Sequence, residues 1–189
     1  MKAKIYIYGA PVLRKKASRI TNFEDELHQE ALSMLDKMHI AQGIGLAAPQ
    51  VGKSTQLIVI DLGETHDTVT LDGKLLPLSL IQPLFLVNPS FEPLNNVQES
   101  REEGCLSLPE VQGSVKRYQS IEVQYQDCYG NAHTLQCQNL LARCVQHECD
   151  HLLGILFIDR IDKAERREQA DLLNELKNLG GTFQYDTEE

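Results

Sequence analysis

Apolar and polar positions follow three different rhythms along this chain. From Phe23 to Met38 the apolar residues Phe23, Leu27, Ala31, Met34, Leu35 and Met38 recur at helical spacing, so one helix face packs on a core. Thr21 and Glu24, three residues apart, read as a capping box that opens this helix. Leu57–Ile60 and Leu84–Val87 are short unbroken apolar runs, the pattern of strands buried on both faces. Ile121, Val123 and Tyr125 alternate with Glu122, Gln124 and Gln126, which is a half-exposed strand. Turn residues over Asp127–Asn131 send it back into a partner strand at Thr134–Cys137. Ile5–Tyr8 forms a further short strand before Gly9-Ala10-Pro11, and residues 61–83, with Pro77 and Pro83, read as an elaborated connection or hairpin.

Asn139 is the expected N-cap of a helix over Leu140–Leu153, with Gly154 as its stop. A last amphipathic helix spans Ala164–Leu179 and ends at Gly180-Gly181. Helices at either end and strands between them predict an α+β fold, with mostly antiparallel strands around a central helix.

Composition narrows the class. A chain of 189 residues, 42% hydrophobic and 24% charged, is one ordinary globular domain. Its net charge of −9 argues against a DNA-binding or anionic-membrane surface. Five cysteines, an odd number without framework spacing, fit a reducing compartment. No signal segment or spanning apolar run is present, so the cytoplasm is the expected location. His28 and His39 read as surface or satisfied histidines.

The central helix changes the picture. At about 3.6 residues per turn it puts His147 and His151 on one face, with Glu148 beside them. Two imidazoles in that array can hold one cation, and the glutamate can work on a water next to it. Cys144 shares the face, but three donors on one straight helix cannot surround an ion, so another element must contribute. Cys105, freed by the preceding Gly104, is the best candidate. Cys128 and Cys137 flank the hairpin and read as packing groups, and Cys149 points away from the histidine face. The stretch Gly43–Gly52 is either a glycine stop with a loop or a rim allowing close approach of another chain. It lacks the lysine and hydroxyl residue of a phosphate loop. Singly, each feature has a plain structural alternative; jointly they point to a metal site.

Together, Gly43-Ile44-Gly45-Leu46-Ala47-Ala48-Pro49-Gln50, Glu103-Gly104-Cys105-Leu106-Ser107 and Gln146-His147-Glu148-Cys149-Asp150-His151 resemble the three ordered motifs of the peptide deformylases. The resemblance runs from about Pro11 to Phe157. It implies a catalytic domain with its core at about 5–160, and a metal held by Cys105, His147 and His151. The family's usual ion is Fe2+, with Zn2+, Ni2+ or Co2+ able to replace it. The implied reaction is hydrolysis of the formyl group of N-formylmethionyl nascent peptides, by attack of metal-bound hydroxide. Glu148 is then general base and acid, and the Gln50 amide and Leu106 N–H stabilise the oxyanion. Ile44, Gly45, Glu103, Leu140 and Cys144 are the expected substrate-binding residues, with His147 also lining the methionine pocket. Glu103 with Arg117, and Asp150 behind them, are set either as supporting groups or as solvated charges. Lys116 stands where relatives often carry proline. Arg143 replaces an aliphatic residue of some relatives, which makes the pocket entrance more polar. The ribosome exit region is a further partner in relatives with a basic C-terminal helix, but here charges over 164–179 are balanced. Other zinc peptidases with H-E-x-x-H, or a non-catalytic metal module, are the competing readings.

Overall fold

The computed structural model describes residues 2–179 and 181–186. Eleven strands and four α-helices follow one another as β1 (Lys2–Tyr6), α1 (Asp25–Ile40), β2 (Gly45–Ala47), β3 (Leu57–Ile60), β4 (Thr68–Leu71), β5 (Lys74–Pro77), β6 (Leu84–Pro93), β7 (Gln98–Cys105), β8 (Leu108–Tyr118), β9 (Ser120–Gln126), β10 (Ala132–Gln138), α2 (Asn139–Leu152), α3 (Lys163–Glu168), α4 (Ala170–Asn178) and β11 (Thr182–Asp186). Seven strands form one sheet in the order β2-β3-β6-β9-β10-β4-β5, and β7–β8 and β1–β11 form two-stranded ribbons. All pairings between these strands are antiparallel, so the fold is α+β as expected.

β3 explains why its sequence is apolar throughout. Leu57 and Val59 pack with Leu27, Ala31, Met34 and Met38 of α1 on one face of the sheet. Ile58 and Ile60 pack with Leu141, Val145 and Leu152 of α2 on the other. A strand covered on both faces has no polar position to alternate with. A third cluster joins Val111 and Val115 of β8 to Phe157, Leu173 and Leu176.

The strands at 57–60 and 84–87, the 61–83 hairpin and the 121–137 hairpin are all where the periodicity places them, although the last return strand runs from Ala132 to Gln138. Several boundaries differ. The first strand is Lys2–Tyr6 rather than Ile5–Tyr8, because its register is set by β11. Helix α1 starts at Asp25, and its N-cap Glu24 receives no side-chain capping bond. Thr21 is held outside the helix because the Asn88 side chain binds both the N–H and the carbonyl of Ile20, at 2.8 Å each, and Phe23 packs on the core. Asn139 does not cap α2 with its side chain; it takes φ +56° and turns the chain from β10 into the helix. Gly154 does end α2, at φ +74°, and a Cβ there would come within 2.8 Å of the Arg14 backbone.

The last helix is two helices. They part at Gln169, whose side-chain amide donates to the Gln112 carbonyl of β8 and whose backbone leaves the helical region. Gly180, part of the expected stop, lies outside the described residues. Strands β7, β8 and β11 carry no clear sequence signal. In β8 the inward positions are Val111, Gly113, Val115 and Arg117, so a glycine and an arginine hide the alternation.

Candidate metal centre

Every residue of α2 from Leu141 to Leu152 is buried, including Arg143, Gln146, His147, Glu148, Asp150 and His151. A helix this polar tolerates burial only if its polar groups find partners. Gln146 supplies one anchor, accepting from the Tyr118 N–H at 3.0 Å and donating to the Tyr118 carbonyl at 2.9 Å. It thereby ties α2 to the end of β8.

The β7–β8 ribbon brings in the distant cysteine. Its register shifts between Gly104 and Cys105, and this break turns Cys105 toward the helix. The Cys105 Sγ lies 3.2 Å from His151 Nε2. One donor atom from each of Cys105, His147 and His151 falls within 4.8 Å of the others, so the three expected ligands are brought together. Cys144 takes no place among them. Its Sγ instead faces the Ile44 carbonyl at 3.8 Å.

Both histidines suit such a role for physical reasons. The Nδ1 of His147 is taken by Glu103 Oε2 at 3.0 Å, which fixes the ring and leaves Nε2 for the site. Burial holds the His151 ring well below ordinary imidazole basicity, so a neutral lone pair is available. Thiolate and imidazole donors fit iron or zinc. The His151 Nδ1 and the Glu148 Oε2 have no hydrogen-bond partner among the described residues. Burial also pushes the Glu148 carboxyl up to about 7, against the opposing field of His147.

Glu103 is the hub behind the donors. Its Oε1 accepts from Arg117 Nε at 2.9 Å and Arg143 Nη1 at 2.7 Å, and its Oε2 accepts from Arg117 Nη2 at 2.9 Å. Burial alone would raise its carboxyl, but the His147 and Arg117 hydrogen bonds carry it down to about 2. Asp150 receives Arg117 Nη1 at 2.5 Å and also pairs with Arg160. These are interior ion pairs, so the reading as solvated surface charges is wrong. Arg143 likewise is buried and donates to the Val115 and Glu99 carbonyls as well as to Glu103. Its charge is consumed within the protein rather than offered to solvent at the entrance.

The glycine stretch forms the opposite wall. Gly43 and Ile44 lead into β2, followed by a 3₁₀ turn over Ala48–Val51 that Gly52 ends at φ +91°. Gln50 Oε1 accepts from the Ala47 N–H at 2.8 Å, which orients the amide. Its Nε2 therefore faces Ser107 Oγ at 3.1 Å and Cys105 Sγ at 3.6 Å. Gly45 is packed so closely that a Cβ would lie 2.6 Å from both Cys144 Sγ and Glu148 Oε1.

Ile44, Gly45, Gln50, Glu103, Cys105, Leu106, Leu140, Cys144, His147 and Glu148 all line one cleft of about 740 Å³. His151 lies outside that lining. Ile44 and Leu140 are half exposed at the mouth. Sequence reasoning assigned no role to Ser107, Arg160 or Tyr185. Ser107 sits in a quoted motif and could have been found there; Tyr185, which also lines the cleft, had no signal.

The sequence profile described as Polypeptide deformylase matches residues 2–167. The chain belongs to this family. It is accordingly a deformylase-family enzyme, and the family is metal-dependent. The peptide deformylase of Opitutus terrae is 49% identical over 169 residues, covering 88% of each chain. Peptide deformylase 1 of Nostoc sp. is 41% identical over 181 residues, or 96% of this chain and 88% of that relative. The crystal structure of a Synechococcus elongatus peptide deformylase in complex with actinonin superposes with a TM-score of 0.77 at 44% identity, covering 88% of this chain and 85% of that one.

Proposed function

We propose that this deformylase hydrolyses the formyl group from the N-terminal methionine of newly made polypeptides, releasing formate. The observation that carries the reading is the meeting of the Cys105, His147 and His151 donor atoms at a cleft that Gln50, Cys105, His147 and Glu148 line.

Cys105 Sγ, His147 Nε2 and His151 Nε2 would hold one divalent ion, with Fe2+ the family's usual choice. When bound, such an ion supplies Lewis acidity to the formyl carbonyl and lowers the pKa of a water to roughly 7. The protein's own groups do the rest. The Glu148 carboxylate takes the proton of the attacking water and delivers it to the amine nitrogen as the C–N bond breaks. The products are formate and the free methionyl amine. Gln50 Nε2 and the Leu106 N–H donate to the oxygen that gains charge in between. Because the Gln50 amide oxygen is already tied to Ala47, its NH2 is oriented before substrate arrives.

Ile44, Leu140, Cys144 and His147 line the methionine pocket, with Gly45 on its rim, and Glu103 contributes a wall whose charge is already neutralised by arginines. β2 is an edge strand of the large sheet, which supports main-chain pairing with an extended peptide. Five unpaired cysteines support a reducing location such as the cytoplasm, where a thiolate ligand is protected from oxidation. Among the described residues no helix is long and apolar enough to cross a membrane. Balanced charge over residues 164–179 gives no support to ribosome docking through that segment.

The test is anaerobic formate release from formyl-Met-Ala-Ser. Chelation should abolish it and ferrous iron restore it; no formate from metal-replete protein overturns the reading.

A further inference from the structure

The turn Leu106–Ser107 joins β7 to β8 and follows Cys105 directly. Three elements hold it. Ser107 Oγ accepts from Gln50 Nε2 at 3.1 Å, and the Ser107 N–H donates to Cys105 Sγ at 3.4 Å. The Ser107 carbonyl accepts from the Tyr8 N–H at 2.8 Å, two residues beyond β1. The Leu106 carbonyl accepts from the Tyr185 hydroxyl at 2.7 Å, and Tyr185 belongs to β11. β1 and β11 are paired from Lys2↔Asp186 to Tyr6↔Thr182, with Ala3 opposite Tyr185. The β1–β11 ribbon therefore binds the Leu106 carbonyl, and the segment leaving β1 binds that of Ser107. The Leu106 side chain is also trapped from the other lip, since a Cβ on Gly43 would approach its Cδ1 to 2.7 Å.

We propose that Tyr185 is a positioning residue for deformylation, whose hydroxyl fixes the Leu106–Ser107 turn and so aims the Leu106 N–H at the developing oxyanion. The inference rests on the proposed function, in which Leu106 is that donor. Tyr185 touches no reacting atom in this scheme. It acts through the Leu106 backbone, holding the carbonyl one Cα away from that N–H, so its loss would lower the rate by misplacing a donor rather than removing one.

The experiment compares wild type, Tyr185→Phe and Phe183→Leu, all metal-replete, on formyl-Met-Ala-Ser. Tyr185→Phe keeps the ring in place and removes only the donor. Its kcat should fall about tenfold, since complete loss of a comparable donor costs about 10²–10³. KM should stay within about twofold, because ground-state binding does not use the donor. Metal content and thermal midpoint should match wild type. Phe183 lies on the same strand, ring to ring with Tyr185 at 4.9 Å, and makes no bond to the turn. Phe183→Leu should retain wild-type kcat.

An unchanged kcat in Tyr185→Phe overturns the proposal, as does a change confined to KM. Loss of metal from Tyr185→Phe overturns it too, because the hydroxyl would then serve Cys105 rather than Leu106. An equal loss of kcat in Phe183→Leu would assign the effect to strand packing and not to the hydroxyl. If wild type releases no formate, the proposed function fails first; an active wild type with an unaffected Tyr185→Phe variant sinks this inference alone.

Discussion

Gly45→Ala probes the fit between the glycine wall and the base. The added Cβ would stand 2.6 Å from Cys144 Sγ, 2.6 Å from Glu148 Oε1 and 3.1 Å from Glu148 Cδ. Ordinary contact between such atoms is about 3.5–4.0 Å, so something must move by about 1 Å. Both neighbours end flexible side chains, but both are buried on a helix packed between the sheet and the β7–β8 ribbon, which leaves them little room. Overpacking of this kind costs about 1–3 kcal/mol. For a chain of this size that lowers the thermal midpoint by about 3–9 °C. Activity should suffer more than stability, since about 1 Å of misplacement at a reacting group can cost about 10²-fold in rate. The assay is kcat/KM for formate release beside a thermal melt, for Gly45→Ala with and without Cys144→Ala. Removing the sulfur relieves one clash and not the other, so the double variant should regain stability while activity stays low. A Gly45→Ala enzyme within about threefold of wild-type kcat/KM would refute the claim that this glycine sets the position of Glu148.

Two other perturbations test the supporting structure. Glu103→Gln removes the carboxylate that buried Arg117 and Arg143 share, leaving Arg117 only Asp150 and Arg143 only backbone carbonyls, and should lose about 3–5 kcal/mol of stability by urea unfolding. A loss below about 1 kcal/mol would mean that the interior ion pairs carry little. His133 bridges Asp72 at 2.7 Å and Asp127 at 3.5 Å. The Asp72 hydrogen bond raises the basicity of its ring above the usual value near 6.5, against the opposing effect of burial. Its contribution is therefore present below about pH 6.5 while the carboxylates remain charged, and is lost as pH rises through the raised folded value. The pair is partly exposed, so wild type should exceed His133→Gln by less than about 1 kcal/mol at pH 6, shrinking toward zero by about pH 9. A thermal-melt difference that grows with pH would contradict this.

The legible parts of the chain were those governed by local periodicity. β3 and the start of β6 were readable because strands covered on both faces leave no polar position. The helix carrying His147, Glu148 and His151 was readable from its apolar faces and from Gly154. The capping box at Thr21 and Glu24 failed because Asn88, far along the chain, captures the backbone at Ile20. Strand β8 was hidden because Arg117 occupies an inward position that only makes sense once Glu103 and Asp150 are seen around it. The helix over 164–179 was broken by a single bond from Gln169 to Gln112. Motif spacing brought the three expected donors together, whereas Tyr185 reaches the cleft through strand pairing between the chain ends, which no local pattern encodes.

In the proposed reaction Glu148 moves the proton beside a metal held by Cys105, His147 and His151. The most direct test of that role is kcat for formate release by Glu148→Ala at a metal content equal to wild type. Glu148→Ala should lower kcat by about 10²–10⁴ with the metal retained. Activity within about tenfold of wild type, with the metal still bound, would contradict that role.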